Sequence, residues 1–138
     1  MDEISAAVRV RYVETDQMGV VHHSVYFHWM EVGRTEYMRM KGLPYSRMEE
    51  MGIRMPLIEA RAEYLSPARY DDELEVRTRL GGATPVTFVF DYEIVRKRDM
   101  KVIARGTTRH VAADGSNRPR RVPKDVFDLI GGNIVKQG

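Results

Sequence analysis

"SVYFHWMEVGRTEYMRMKGLP", Ser24 to Pro44, is the stretch on which the fold turns. Tyr26, Met30, Gly33, Tyr37 and Met40 recur at helical spacing and share one face, with Trp29 beside them. The pattern predicts a helix over roughly Ser24 to Lys41. Ser24 is the expected N-cap, its hydroxyl accepting from a backbone N–H that has no partner inside the helix. Gly42 and Pro44 end the helix, the first by suiting a left-handed C-terminal position and the second by blocking continuation. At 1.5 Å per residue such a helix runs about 27 Å, enough to cross about five strands spaced about 4.8 Å apart. Gly33 in mid-helix costs about 1 kcal/mol against Ala. Close approach to a sheet offsets that cost.

The remaining segments supply the sheet. Val8, Val10 and Tyr12 alternate with Arg9 and Arg11, which predicts a first strand there. "ETDQMGV" breaks the alternation, with Gly19 giving the freedom a tight bend needs. After the helix, "YSRMEEMG" reads as a small helical turn. Four strands follow: Glu59 to Tyr64, with Ala60, Ala62 and Tyr64 on one face; "ELEVRTRL"; "PVTFVFDYEIV"; and "KVIARGTTRHVAA". "SPARYDD", "GGATP" and "RKRDM" connect them, and links this short predict antiparallel pairing. "VPKDVFDLIG" is a terminal helix with Pro123 near its first turn. The order is strand, long helix, four strands. The helix has nothing but the sheet to bury against, so the class is α+β with the sheet wrapped on one helix.

A chain of 138 residues predicts one domain, residues 1–138. With 43% hydrophobic and 30% charged residues it has the composition of a folded globule and not of a disordered chain. No apolar run is long enough to cross a bilayer, so no membrane insertion is expected. "MDEISAAVRV" carries acids where a signal peptide carries a basic end, and the expected location is cytoplasmic. The absence of cysteine excludes disulfides, thiolate zinc sites and cysteine nucleophiles. Net charge is +2, and the positive charge is local, in "RKR" (Arg96 to Arg98) and "NRPRRVPK" (Asn117 to Lys124). These read as solvated loops or as a seat for ligand phosphates. Nucleic acid is not expected, because no broad basic face with interleaved aromatics is visible.

The chemistry-bearing residues stand just before the long helix. Asp16 lies in the bend after the first strand, and His22, His23 and Ser24 lie at the helix start. The N–H groups there have no intrahelical partner, and the helix dipole adds partial positive charge. Such a tip suits an oxygen that gains negative charge, as the carbonyl oxygen does in acyl transfer. A carboxylate or imidazole supplies the nucleophile or base. The structural alternatives are that Asp16 stabilises its own turn and that His23 bonds to backbone. His28 faces away from His23 and reads as structural. Glu31 and Glu36 read as rim or solvent-facing acids. Adjacent His22 and His23 on a helix diverge by about 100° and chelate poorly. With no H-E-x-x-H spacing, no metal is expected.

"RYVETDQMGVVHHSVYFHWMEVGRTEYMR" resembles the signature of the 4-hydroxybenzoyl-CoA thioesterase-like family of hotdog-fold proteins. It is most similar to the acyl-CoA thioesterases associated with the Tol-Pal system. The likeness continues through "YLSPARYDDELEV" and "NRPRRVP". It implies a hotdog fold, a five- to six-stranded antiparallel sheet around one long central helix. It implies homodimers, usually paired into homotetramers, with active sites at the dimer interface. It also implies hydrolysis of an acyl-coenzyme A thioester without metal or added cofactor, coenzyme A being part of the substrate. Asp16 matches the family's catalytic aspartate, the N–H of His23 the donor to the thioester carbonyl, and Tyr12 a tyrosine near that site. One family branch carries a functional histidine at the position of His23. An Arg pair that some members carry before the long strand is absent, since the stretch reads "GGATP". Arg118, Arg120 and Arg121 are therefore the expected contacts to the coenzyme A phosphates. Asp16 either attacks the carbonyl or deprotonates water, with His23 orienting the water or acting as base and Tyr12 positioning Asp16. The alternative of another class is a non-catalytic module of the same fold that holds acyl-CoA or an acyl carrier. A hotdog dehydratase is the third choice, weakened because the acid precedes the helix.

Overall fold

The computed structural model describes residues 2–135. Five strands, β1 (Glu3–Arg9), β2 (Leu57–Tyr64), β3 (Glu73–Ala83), β4 (Thr87–Arg96) and β5 (Lys101–Val111), form one sheet in the order β1-β3-β4-β5-β2. Every pairing is antiparallel. Three helices accompany it: α1 (Val25–Met40), α2 (Tyr45–Glu50) and α3 (Lys124–Ile130). No helix among the described residues is long and apolar enough to cross a membrane.

The long helix lies where its sequence requires. Tyr26, Trp29, Met30, Gly33 and Tyr37 of α1 are buried against the sheet face that presents Val76, Thr78, Phe90 and Tyr92. A Cβ built on Gly33 would collide with Thr78 Oγ1 and sit 2.7 Å from Val76 Cγ1. Gly33 is thus the point of closest approach between α1 and β3, as the helical pattern required. Alternation on β4 is clean, with Phe88, Phe90, Tyr92 and Ile94 inward. The outer face carries a cross-strand lattice of charges, including Arg77 opposite Glu93 and Glu93 opposite Arg105.

The first strand lies earlier than the alternation predicted. Pairing with β3 runs over Glu3 to Arg9, and Tyr12–Glu14 instead form a 3-10 turn. The cause is Glu14, whose buried carboxylate accepts from the N–H of Arg11 at 2.7 Å and pulls the chain round before Tyr12 can extend.

A buried polar relay crosses the inner face. His110, 1% exposed, has Nδ1 3.1 Å from the carbonyl of Met55 and Nε2 3.0 Å from Thr108 Oγ1. The carbonyl can only accept, so Nδ1 carries the proton and Nε2 accepts from Thr108. The Tyr92 hydroxyl completes the chain at 2.7 Å from Thr108 Oγ1. Burial, helped by the Arg34 charge, pushes the His110 imidazole down to about 4 from its ordinary 6.5. A group held neutral in the fold binds its proton more readily when unfolded. Its contribution is therefore complete above about pH 6.5 and is lost as pH falls toward 4, amounting to about 3 kcal/mol. Denaturant midpoints measured from pH 7 to 4 should fall less steeply for His110→Gln than for the wild type. Equal slopes would mean that His110 is not the group responsible.

Candidate active site

The bend after β1 is a closed loop built around Asp16. Its N–H donates to the carbonyl of Val20 at 2.8 Å, and its carbonyl accepts from Gly19 at 3.0 Å. Gly19 holds φ at +79°, a left-handed conformation that a side chain would strain. The carboxylate is fixed by one oxygen, since Oδ1 accepts from Met18 N–H at 2.8 Å and Val20 N–H at 3.3 Å. The second oxygen, Oδ2, has no hydrogen-bond partner among the described residues.

The helix start is tied to this loop from two directions. His22 N–H donates to the carbonyl of Glu14 at 2.9 Å. Tyr64, the last residue of β2, donates its hydroxyl to the carbonyl of His23 at 2.9 Å. The Tyr64 ring stands edge-on to Tyr26, with centroids 5.0 Å apart. Burial raises the hydroxyl pKa of both Tyr26 and Tyr64. Both phenols therefore remain neutral donors at ordinary pH.

Ser24 does not cap α1 as its identity suggested. Its backbone is already helical (φ −67°, ψ −25°) and its side chain makes no cap bond. His22 takes the role instead. Its Nδ1 accepts from Ser24 N–H at 3.2 Å and lies 2.8 Å from Ser24 Oγ. Residues 22 and 23 precede the helix, so their rings do not diverge; they stack with centroids 4.1 Å apart.

These bonds leave the amide of His23 open between occupied neighbours. Around it, His22 N–H is taken by Glu14, Ser24 N–H by His22 Nδ1 and Val25 N–H by the carbonyl of His22. The N–H of His23 donates to no acceptor among the described residues. Asp16, His23, Tyr26, Tyr64 and Ser66 line one open cleft of about 410 Å³. Asp16 and the residue that carries the unspent amide thus line the same cleft at the start of α1.

Other expected residues lie elsewhere. Tyr12 is 77% exposed, its ring edge-on to Tyr70 at 5.8 Å, and it does not line the cleft. The 3-10 turn carries it away, and the Met18 and Val20 amides position Asp16 in its place. Arg118, Arg120 and Arg121 belong to the loop after β5, which bridges back to Arg54 through Ala113. That is the start of β2, while Asp16 is at its end, about 24 Å away along the strand. Arg120 Nη1 donates to the carbonyl of Met51 at 3.3 Å, and Arg118 and Arg121 are exposed. His28 is exposed on α1; Glu36 pairs with Arg39, and Glu31 lines a second cavity. Glu14 and Tyr64 were not anticipated, although both frame the site. Among the described residues, no three His, Asp or Glu side chains are grouped to hold a metal ion.

The sequence pattern of the thioesterase-like superfamily matches residues 10–129, which include every residue of the cleft. The chain belongs to that superfamily, and with it to the thioester hydrolases. A protein of Aquifex aeolicus is 41% identical over 122 residues, 88% of this chain and 93% of its own length. An acyl-CoA thioesterase of Haemophilus influenzae, YbgC, is 32% identical over 88% of this chain and 90% of its own length. Among solved structures, the 4-hydroxybenzoyl-CoA thioesterase of Pseudomonas sp. strain CBS-3 superposes with a TM-score of 0.84 at 27% identity, covering 92% of this chain and 98% of that one. The architecture is accordingly the hotdog fold.

Proposed function

We propose that the protein hydrolyses acyl-coenzyme A thioesters, with Asp16 as nucleophile or general base and the N–H of His23 as donor to the thioester oxygen. The observation that carries this reading is that His23, whose amide is unpaired while those of His22, Ser24 and Val25 are occupied, lines the same cleft as Asp16. The amide stabilises charge as it develops on the carbonyl oxygen, an effect worth about 10²–10³ in rate for one such donor. In the covalent route Asp16 Oδ2 bonds to the carbonyl carbon, the carbon–sulfur bond breaks and coenzyme A leaves as thiolate; water then opens the anhydride. In the general-base route Asp16 takes a proton from water as the water oxygen attacks, and the same thiolate leaves. The His23 imidazole orients the water. The motif likeness to the Tol-Pal-associated enzymes and the name of the Haemophilus relative support coenzyme A as the carrier.

The edge strand supports a dimer. All residues of β2 are exposed except half-buried Ala62, although the strand carries Leu57, Ile58, Ala60 and Tyr64. A bare apolar edge is a template for another strand. Two copies paired antiparallel along β2 with full overlap set Leu57 opposite the partner's Tyr64. This brings the arginine loop of each chain toward the Asp16 cleft of the other, and so gives Arg118 and Arg121 access to the coenzyme A phosphates. Arg118→Ala with Arg121→Ala should raise KM for acyl-CoA about tenfold or more, the scale of a lost charge-assisted bond, and leave an acyl-pantetheine without phosphates nearly unaffected. Equal losses on both substrates would place the phosphates elsewhere.

A second reading keeps the fold without the chemistry. Asp16 Oδ1 makes the bonds of an ordinary turn acid, which suits a module that only holds acyl-CoA. Thiol release from a panel of aliphatic and aromatic acyl-CoAs separates the two. Steady release supports the hydrolase; binding without release supports the module.

A further inference from the structure

The cleft at Asp16 is open and short, and a larger cavity lies elsewhere. It occupies about 610 Å³ between α1, α2 and the stretch before β2. Its floor is Leu43, Met48, Ile53 and Phe90, all buried, and its walls include half-buried Met38 and Met55. The size is that of a small-ligand pocket. The floor offers no hydrogen-bonding side chain. Glu31, Thr35, Tyr45, Arg54 and Asn117 sit on the exposed rim, and half-buried Arg34, whose charge bears on Tyr92 and His110, stands in the wall above the floor.

We propose that this cavity is the acyl-chain pocket and selects unsubstituted aliphatic chains of medium length. The proposal rests on the hydrolase reading and on the β2-paired dimer, in which the cavity, at the start of β2, opens beside the partner's Asp16 cleft. A ring hydroxyl reaching the floor would lose water and gain no partner there, whereas each buried methylene gains. The methionine walls adapt to a flexible chain. From Glu31 to Met38 the helix advances about 10 Å, a length that an octanoyl chain fills, acetyl leaves largely empty and palmitoyl exceeds.

The test is kcat/KM for acetyl-, butyryl-, hexanoyl-, octanoyl-, palmitoyl- and 4-hydroxybenzoyl-CoA. Each added methylene from butyryl to octanoyl should raise the value about fourfold, so that octanoyl exceeds butyryl by about 250-fold. Met38→Trp, and separately Thr35→Trp on the exposed rim, should bring the octanoyl-to-butyryl ratio close to one. A flat chain-length profile, a preference for 4-hydroxybenzoyl, or an octanoyl preference unmoved by both tryptophans overturns the pocket while leaving hydrolysis standing. If no thioester is cleaved, the hydrolase reading fails, and dissociation constants for the same series report on the pocket directly. Affinity that rises with chain length and collapses in the tryptophan variants supports it, and affinity independent of length overturns it.

Discussion

Asp16→Asn should lose at least 10²–10⁴ of turnover while remaining folded and able to bind acyl-CoA. The lower bound is the usual contribution of a positioned general base, and loss of a nucleophile would exceed it. Folding should change by no more than about 0.5 kcal/mol, because the asparagine carbonyl oxygen can still accept from the Met18 and Val20 amides that now bond Oδ1. The variant thus separates the two functions of one side chain. The oxygen that holds the loop is kept, and the charge on the free oxygen is removed. Thiol release and thermal midpoint measured on the same preparation report both. Turnover at the wild-type level would remove Asp16 from the chemistry, and a collapsed midpoint would show that its charge serves the fold.

The second large effect is expected from a residue that lines no cavity. Ala60 stands in the middle of β2, opposite Thr108, on the inner side of the unpaired edge. It is exposed in the single chain, so Ala60→Glu leaves the monomer's core intact. In a two-fold pairing of β2 with itself, the substitution places two carboxylates near the axis. Like charges there should separate the copies to the monomer mass of 16.0 kDa. kcat/KM should then fall by about 10² or more, because loss of oriented contacts across a site carries that penalty. Light scattering and activity need to be read together. A fully active monomer would show that one chain suffices for catalysis.

Much of the fold was legible because the long helix makes a strong demand. A face of aromatic and methionine residues interrupted by Gly33 requires a flat apolar partner at close range, and the strand runs after Pro56 supply one. The first strand was misplaced because Tyr12 continues an alternation that Glu14 then overrides through a side-chain bond. Such a bond leaves no periodic trace. Asp16 and His23 stand out in the sequence because one lies at a bend and the other at a helix start, where backbone groups lack partners, and the structure sets both on one cleft. The detail was not legible. That His22 and not Ser24 caps the helix depends on the imidazole folding back two residues. That Tyr64 braces His23 depends on a contact between residues 41 apart in sequence. His110 was hidden for the same reason, since its partner Met55 is 55 residues away. The arginines were legible as a charge cluster, but not their place at the opposite end of β2 from Asp16, which pairing through Ala113 decides.

The most direct test of the account is the crystal structure of Asp16→Asn with a slowly hydrolysed acyl-CoA bound. The thioester oxygen should lie within about 3.2 Å of His23 N and the substituted side chain at position 16 within about 3.5 Å of the carbonyl carbon. A thioester held out of reach of that amide, or facing the helix tip with the position-16 side chain turned away, would contradict it.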